Sequence, residues 1–380
     1  MSKVDIIATS TFGLEAIVAR EVKQLGYENA KVENGKVMFT ADKLAICRTN
    51  LWLRTAERIR LKIGEFKATT FDELFEQTKA LPWAEWIPED AQFPVEGKSV
   101  KSTLFSISDC QAIVKKAIVE SLKQSYHKTW FEETGALFKV EVALHKDIAT
   151  LTIDTSGAGL HKRGYRQLIS GAPLKETMAA AMIQLSFWNP DRPLHDPFCG
   201  SGTIPIEAAL IGRNIAPGMN REFVSEEWPS IPKKLWQEAR RETHDLAKYD
   251  RPLEITGTDI DGDMIAVANE NAEEAMIEDA VRFKRLPVGA YTNDARYGCI
   301  ICNPPYGERL GEKREVEQLY KVMGKTFGAL DTWSYYILTS YPEFEQFFGK
   351  KADRNRKLYN GNLKTYYYQY YGPRPPRKEE

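Results

Sequence analysis

A chain of 380 residues, 43% hydrophobic and 28% charged, has the composition of a soluble globular protein and is too long for one ordinary domain. At roughly 150 residues per domain, two or three are expected. The net charge of −1 excludes a uniformly basic polyanion binder. The charge is uneven, however: seven Lys/Arg face two acids from Lys43 to Lys67, nine face one from Lys350 to Lys378, and sixteen acids face six bases from Glu222 to Asp279. Such asymmetry permits a basic face for a polyanion, and equally describes ordinary solvated helix faces.

In chain order, Val4–Thr9 reads as a strand and Phe12–Leu25 as an amphipathic helix ended by Gly26, with Leu14, Ile17, Val18, Val22 and Leu25 on one stripe. Lys31–Phe39 is a hairpin around the Asn34-Gly35 turn. This βαββ start predicts a ferredoxin-like module over residues 1–65. A second region, 66–155, opens with a Trp- and Pro-rich stretch (Trp83, Trp86, Pro82, Pro88, Pro94). It continues as a helix over Asp109–Tyr126 with Ser108 as N-cap, then strands at Phe138–Leu144 and Ile148–Ile153. The glycine-bearing segment 156–172 reads as a linker.

From Pro173 to the end, 173–380, strands and helices alternate. Pro173 stands at the first position of an Ala-rich helix reaching Trp188. Strands end at Asp196, Thr258, Cys302 and Thr339, with helices at Thr203–Ile211, Met264–Met276 and Val316–Leu330 between them, and Thr365–Tyr371 closes the pattern. This rhythm predicts a doubly wound α/β domain with a mostly parallel sheet. The residues after Gly372 read as disordered.

The first of these strands runs through Asp196-Pro197-Phe198-Cys199 into Gly200-Ser201-Gly202-Thr203 and a helix, a nucleotide-binding arrangement in which glycines admit close approach of a ligand. Phosphate readings fail. Pro205 stands where a dinucleotide fingerprint needs a small residue, and Gln92 and Leu319 stand where a Walker glycine is required before the two Gly-Lys-Ser/Thr matches. A cofactor without phosphates fits, and S-adenosylmethionine is such a ligand. Asp259, at the end of the second strand, is placed to accept ribose hydroxyls. Asp261 and Asp263 suit a helix cap. Asp196, Phe198, Gly200, Gly202, Thr203, Asp259 and Asn303 are the expected cofactor residues.

Asn303-Pro304-Pro305-Tyr306 follows the fourth strand. The lone pair of an exocyclic amine is delocalised into its ring. Two acceptors, the Asn303 side-chain oxygen and the Pro304 carbonyl, would bind its two hydrogens and free that lone pair, with Tyr306 stacked on the base. Asn303, Pro304 and Tyr306 are therefore the expected catalytic residues. No cysteine follows the prolines, which argues against carbon methylation through a thiolate. The five cysteines are scattered, as in a reducing cytoplasm. Cys299-x-x-Cys302 lacks a second pair and lies in an apolar strand, so no metal is expected. No signal peptide or span of about 20 apolar residues is present, so a cytoplasmic protein without membrane contact is expected.

These residues resemble the THUMP-domain RNA guanine-N2 methyltransferases of the RlmL type. Thr11-Phe12-Gly13-Leu14-Glu15 is similar to that family's opening. His161-Lys162-Arg163-Gly164-Tyr165-Arg166 and Ala172-Pro173-Leu174-Lys175-Glu176-Thr177 are similar to its linker and first catalytic helix. Asp196–Thr203 and Asn303–Gly311 resemble its two core motifs. The resemblance implies a ferredoxin-like module and a THUMP domain that hold structured RNA, then a Rossmann-like methyltransferase domain acting on a guanine N2. Large-subunit (23S) ribosomal RNA is favoured, and tRNA is the alternative. One departure stands out. Phe283–Ala290 carries no acid where many relatives hold the adenine amine, which leaves backbone groups, or distantly Asp294, for that task. Lys162, Arg163 and Arg166 beside the linker, and Lys115, Lys116 and Lys123 along one helix, are the expected phosphate contacts. Competing readings are a DNA adenine or cytosine amino-methyltransferase, a protein-glutamine methyltransferase and a non-catalytic RNA-binding assembly factor. The sequence leaves the oligomeric state open, with a monomer favoured.

Overall fold

The computed structural model describes residues 3–166, 174–307, 313–361 and 363–376. Pro173, the expected start of the Ala-rich helix, Gly311 at the end of the second motif, and the last of the residues after Gly372 lie outside them. The chain divides into two compact units, the first comprising residues up to Ser10, Val18–Leu160 and Arg221–Glu242, the second Thr11–Ile17, His161–Asn220 and Thr243 onward.

In the first unit, strands β1 (Val4–Ser10), β2 (Lys31–Glu33), β3 (Lys36–Ala41), β4 (Ala56–Lys67), β5 (Val95–Val100), β6 (Val140–His145) and β7 (Ile148–Asp154) form one sheet in the order β2-β3-β1-β4-β7-β6-β5. All neighbours are antiparallel except β5 and β6. The expected boundary at residue 65 falls inside β4, which pairs with β1 along one edge and β7 along the other and so makes a single sheet of the two modules. Among the helices, α1 (Glu15–Gln24, in this unit from Val18 on) is ended by Gly26, with φ +92. Then come α2 (Leu44–Trp52), α3 (Phe71–Lys79) with a Thr70/Glu73 capping box, and α4 (Ile107–Tyr126). Ser106, not Ser108, occupies the N-cap position of α4.

Arg221–Glu242 was expected in the catalytic domain but packs in this first unit. Trp228 is buried, stacks on Phe138 at 4.3 Å and donates its indole N–H to the Leu137 carbonyl at 3.0 Å. Glu242 takes both arms of Arg48 at 2.7 Å. The three large aromatics of this segment, Phe223, Trp228 and Trp236, are all buried, with Phe223 stacked on Trp236 at 5.4 Å.

The second unit carries α5 (Glu176–Gln184), β8 (Leu194–Asp196), α6 (Thr203–Gly212), α7 (Lys233–Leu246, only its last residues), β9 (Ile255–Asp259), α8 (Gly262–Glu274), β10 (Val281–Arg285), β11 (Cys299–Cys302), α9 (Lys313–Gly328), β12 (Ser334–Thr339), α10 (Phe344–Phe348), β13 (Arg354–Asn360) and β14 (Leu363–Tyr370). The sheet runs β10-β9-β8-β11-β12-β14-β13. The first five strands are parallel, and β14 is antiparallel to both its neighbours. Every residue of β11 and β12 is buried, as parallel strands covered on both faces must be. Alternate residues feed two cores: Cys299, Ile301, Tyr336 and Leu358 one, Ile300, Cys302, Tyr335 and Tyr368 the other. Cys299 and Cys302 therefore face opposite sides of the sheet and cannot share a ligand. Residues 11–17 belong to this unit. Leu14 and Ile17 join the first of these cores, and the Phe12 ring lies edge-on to Tyr359 at 5.9 Å. No helix among the described residues is long and apolar enough to cross a membrane.

Candidate active site

Strand order reverses between β8 and β11, because the chain leaves β8 toward β9 and β10 and leaves β11 toward β12. In open α/β sheets the ligand crevice lies beyond the carboxyl ends of the strands at such a switch point. Both sequence motifs stand there: Asp196 ends β8 and Asn303 follows β11.

The glycine loop is fixed from below. The buried Asp196 carboxylate accepts from the Phe198 amide at 3.0 Å, and burial, reinforced by the charge of Asp259, pushes that carboxyl well above the usual range. Gly200 and Gly202 have φ +49 and +84, a region costly for side chains. A Cβ on Gly202 would meet the Phe283 ring at 2.9 Å, whereas one on Gly200 would meet nothing within 4 Å. The Gly200 amide donates to Asp259 Oδ2 at 2.9 Å and the Asp261 amide to Oδ1 at 3.0 Å, so the Asp259 carboxylate is held at the mouth of the loop. Asp261 itself caps α8 through the Asp263 amide at 2.9 Å.

On the other side, Tyr320 donates to the Pro305 carbonyl at 2.8 Å and lies 3.0 Å from the Thr339 hydroxyl, which anchors the proline loop to α9 and β12. The Tyr306 hydroxyl donates to Asn303 Oδ1. Sequence reasoning gave Tyr306 a stacking role. The structure adds a contact that fixes which way the Asn303 amide faces, while its oxygen keeps a second lone pair.

One cleft of about 1090 Å³ opens between these parts. Of the expected residues, Phe198, Asp259, Asn303, Pro304 and Tyr306 line it. Asp196, Gly200, Gly202 and Thr203 are not in its wall, and they build the loop that presents Phe198 and holds Asp259. Pro287 and Val288, from the segment Phe283–Ala290 singled out in the sequence, line the cleft, and with Ile260, which sequence reasoning missed, give it an apolar side next to Asp259; Asn360 and Leu363, from the far end of the chain, were missed as well. Ile260 is 68% exposed, an apolar residue left uncovered at the end of β9. The exposed Asp294 lies outside this wall. Burial raises the thiols of Cys199 and Cys302, and that of Cys299 to about 12, so none is a thiolate at neutral pH.

Two expected phosphate contacts are corrected. Arg163 is 4% exposed and pairs with the fully buried Glu207 at 3.3 Å, with the Tyr165 hydroxyl 3.2 Å from the same carboxylate. Arg166 is half-buried and braces the cofactor loop. It pairs with Glu176 at 3.3 Å, donates to the Leu174 carbonyl at 3.2 Å and donates to the Thr203 hydroxyl. Both cations are committed inside the protein, where desolvation would make release costly. Lys115 is similarly engaged, 2.6 Å from Glu133 and 3.3 Å from the centre of the Phe93 ring. Lys123 pairs with Glu120 at 2.9 Å. Lys116 and Lys162 are exposed.

A doubly wound sheet with a nucleoside-sized cleft at its switch point, an acid at the end of its second strand and Asn-Pro-Pro-Tyr after its fourth defines a group-transfer enzyme of the methyltransferase class. Residues 163–369 match the family described as RMKL-like, methyltransferase domain, residues 5–60 the RlmL ferredoxin-like domain and residues 68–154 the THUMP domain. The chain belongs to this family, as a THUMP-bearing methyltransferase of the RlmL type. It is 60% identical to YpsC of Bacillus subtilis, named as a candidate RNA methyltransferase, over the whole of this chain and 99% of that one. A Listeria monocytogenes protein described as a predicted N6-adenine-specific DNA methylase is 58% identical, with a TM-score of 0.95 over 98% of this chain and 97% of that one. SMU.472, described as a candidate methyltransferase complexed with SAH, is 48% identical, with a TM-score of 0.94 over 99% of this chain and all of that one.

Proposed function

We propose that the chain transfers a methyl group from S-adenosylmethionine to the exocyclic N2 of a guanine in structured RNA, with 23S ribosomal RNA as the leading substrate. The observation that carries this reading is the meeting of Asp259 and Asn303 in one cleft at the switch point of the sheet. S-adenosylmethionine supplies a methyl group on a sulfonium and brings no phosphate. The residues fit such a group: the Asp259 carboxylate, already steadied by two amides, has lone pairs left for ribose hydroxyls, and Phe198, Ile260 and Pro287 offer apolar surface to a purine. The complex of SMU.472 with SAH supports the same cofactor here.

Asn303 Oδ1 and the Pro304 carbonyl accept the two amine hydrogens and turn the nitrogen lone pair out of the ring. The proton leaves to water after transfer, so no strong general base is needed, and the contribution of these residues is orientation and exclusion of solvent. His195, on the strand that leads into the glycine loop, is no candidate base, since burial lowers it to about 3.

The THUMP match and the name of YpsC favour RNA over the DNA adenine described for the Listeria protein. Nucleoside analysis of ribosomal RNA, tRNA and DNA from a deletion strain tests the reading. Loss of N2-methylguanine from ribosomal RNA is expected. Loss from tRNA alone selects the alternative substrate, and loss of a methylated adenine from DNA refutes the proposal. A non-catalytic assembly factor would show no calorimetric binding of S-adenosylmethionine.

A further inference from the structure

The basic run from Lys350 to Lys378 includes the hairpin β13–β14. Its register pairs Lys357 with Tyr366 and Tyr359 with Lys364. Directly paired residues share a face of the ladder, and residues two apart along a strand return to it. These four side chains therefore form a chequer on one face, opposite the face on which Leu358, Thr365 and Tyr367 are buried. Lys357 Nζ lies 5.2 Å from the Tyr359 ring centre, and Lys364 Nζ lies 5.0 Å from that of Tyr366. Both lysines are exposed and both tyrosines half-buried. Among the described residues, Lys357, Lys364 and the exposed Arg354 join no ion pair, in contrast to Arg163, Arg166, Lys115 and Lys123. The hairpin tip pair Asn360 and Leu363, one step along each strand from Tyr359 and Lys364 and on the opposite face of the ladder, lines the cleft that holds Asn303, so the hairpin brings the chequer to the rim of the cleft and not into its wall.

We propose that this face docks the single-stranded RNA segment adjoining the target base, the two lysines taking phosphates and the two tyrosines stacking unpaired bases. The proposal rests on the RNA reading above. Uncompensated cations beside the cleft are the complement of a phosphate chain. Aromatic rings set between them suit a strand whose bases are unstacked; a duplex keeps its base faces inside. A target amine deep in the cleft must leave its stack, and its neighbours then emerge at the mouth, where the hairpin lies.

The test uses the full chain and a fluorescently labelled single-stranded RNA of mixed sequence, with binding read by anisotropy over a range of salt. Lys357→Gln/Lys364→Gln is compared with Arg282→Gln/Lys284→Gln, which removes the same charge from exposed positions on β10, the opposite edge of the same sheet. At a salt slope of about 0.7 per phosphate for single strands, the hairpin pair should lower the slope by about 1.4 and weaken binding roughly 25-fold at about 0.1 M salt. The β10 pair should leave the slope unchanged. Tyr359→Ala/Tyr366→Ala should weaken binding roughly tenfold or more at unchanged slope. SAH affinity, measured in each variant, reports that the fold and cofactor site are intact. An equal loss in both charge variants, an unchanged slope in the hairpin pair, the hairpin variants losing as much affinity for duplex RNA as for the single strand, or polyglutamate competing as well as RNA would each overturn the proposal. The readout is binding, so it stands apart from the base assignment: hairpin-dependent RNA binding with no change in N2-methylguanine in the deletion strain removes the guanine reading alone.

Discussion

Replacing Asp259 and Asn303 separately should split cofactor binding from turnover. Asp259 accepts the Gly200 and Asp261 amides at 2.9 and 3.0 Å. An ionised carboxylate has about four acceptor positions, so two remain for ribose hydroxyls. A hydrogen bond to a charged partner contributes about 1.5–3 kcal/mol, and at about 1.4 kcal/mol per tenfold its loss raises the dissociation constant roughly 10- to 150-fold. Asp259→Ala should therefore weaken SAH by at least this factor. It also strands the two amides, at a cost of about 1–3 kcal/mol to the fold. Asp259→Asn keeps one acceptor and should fall between. Asn303→Ala removes no amide partner. Asn303 stands among the expected cofactor residues, but its Oδ1 accepts the Tyr306 hydroxyl and its other lone pair is assigned to the target amine, so the SAH affinity of the variant should stay within about threefold of the parent, a difference under about 0.7 kcal/mol. Its turnover should fall about 100- to 1000-fold, as when one preorganised polar group is taken from a reacting centre. Calorimetric titration with SAH, single-turnover methyl transfer and urea denaturation measure the three quantities. If Asn303→Ala weakens SAH as much as Asp259→Ala, or if Asp259→Ala binds normally, the division of labour assigned to these residues is wrong.

Two further outcomes rest on buried groups. His195 is fully buried and stacked on Tyr291 at 3.6 Å, with its pKa lowered by desolvation to about 3. The unfolded chain takes up this proton near pH 6.5 and the folded chain does not, so stability is lost as pH falls from about 6.5 toward about 3, by up to roughly 1.4 kcal/mol per pH unit. His195→Phe should flatten that slope in urea denaturation, and an unchanged slope would show that another group is responsible. Arg163→Met should destabilise by about 3–5 kcal/mol because it leaves Glu207 buried and uncompensated, and Arg163→Met/Glu207→Leu should recover much of the loss. Reduced RNA affinity at unchanged stability would instead restore Arg163 as a phosphate contact.

The legible parts of the site are those where local backbone chemistry is demanding. Left-handed turns at Gly200 and Gly202, a cap at Asp261 and a stiff loop at Pro304-Pro305 each call for particular residues within a few positions, and the strands that carry them announce themselves by apolar runs. The sequence by itself thus determined the α/β class and located Asp259 at the end of one strand and Asn303 just after another. Charge was the misleading signal. The run from Lys43 to Lys67 looks basic, yet Arg48, Arg58 and Arg60 meet Glu242, Asp154 and Glu141, acids far along the chain. Arg163 looks like a surface cation and is buried on Glu207. Only tertiary structure decided which cations are spent inside the fold, which unit receives Trp228, that β4 fuses two expected modules into one sheet, and that Asn360 and Leu363 line the same cleft as Asp259. Each depends on pairing between residues remote in sequence. A motif records what the backbone needs locally, whereas a charge or an aromatic ring acquires its role from whatever the fold sets against it.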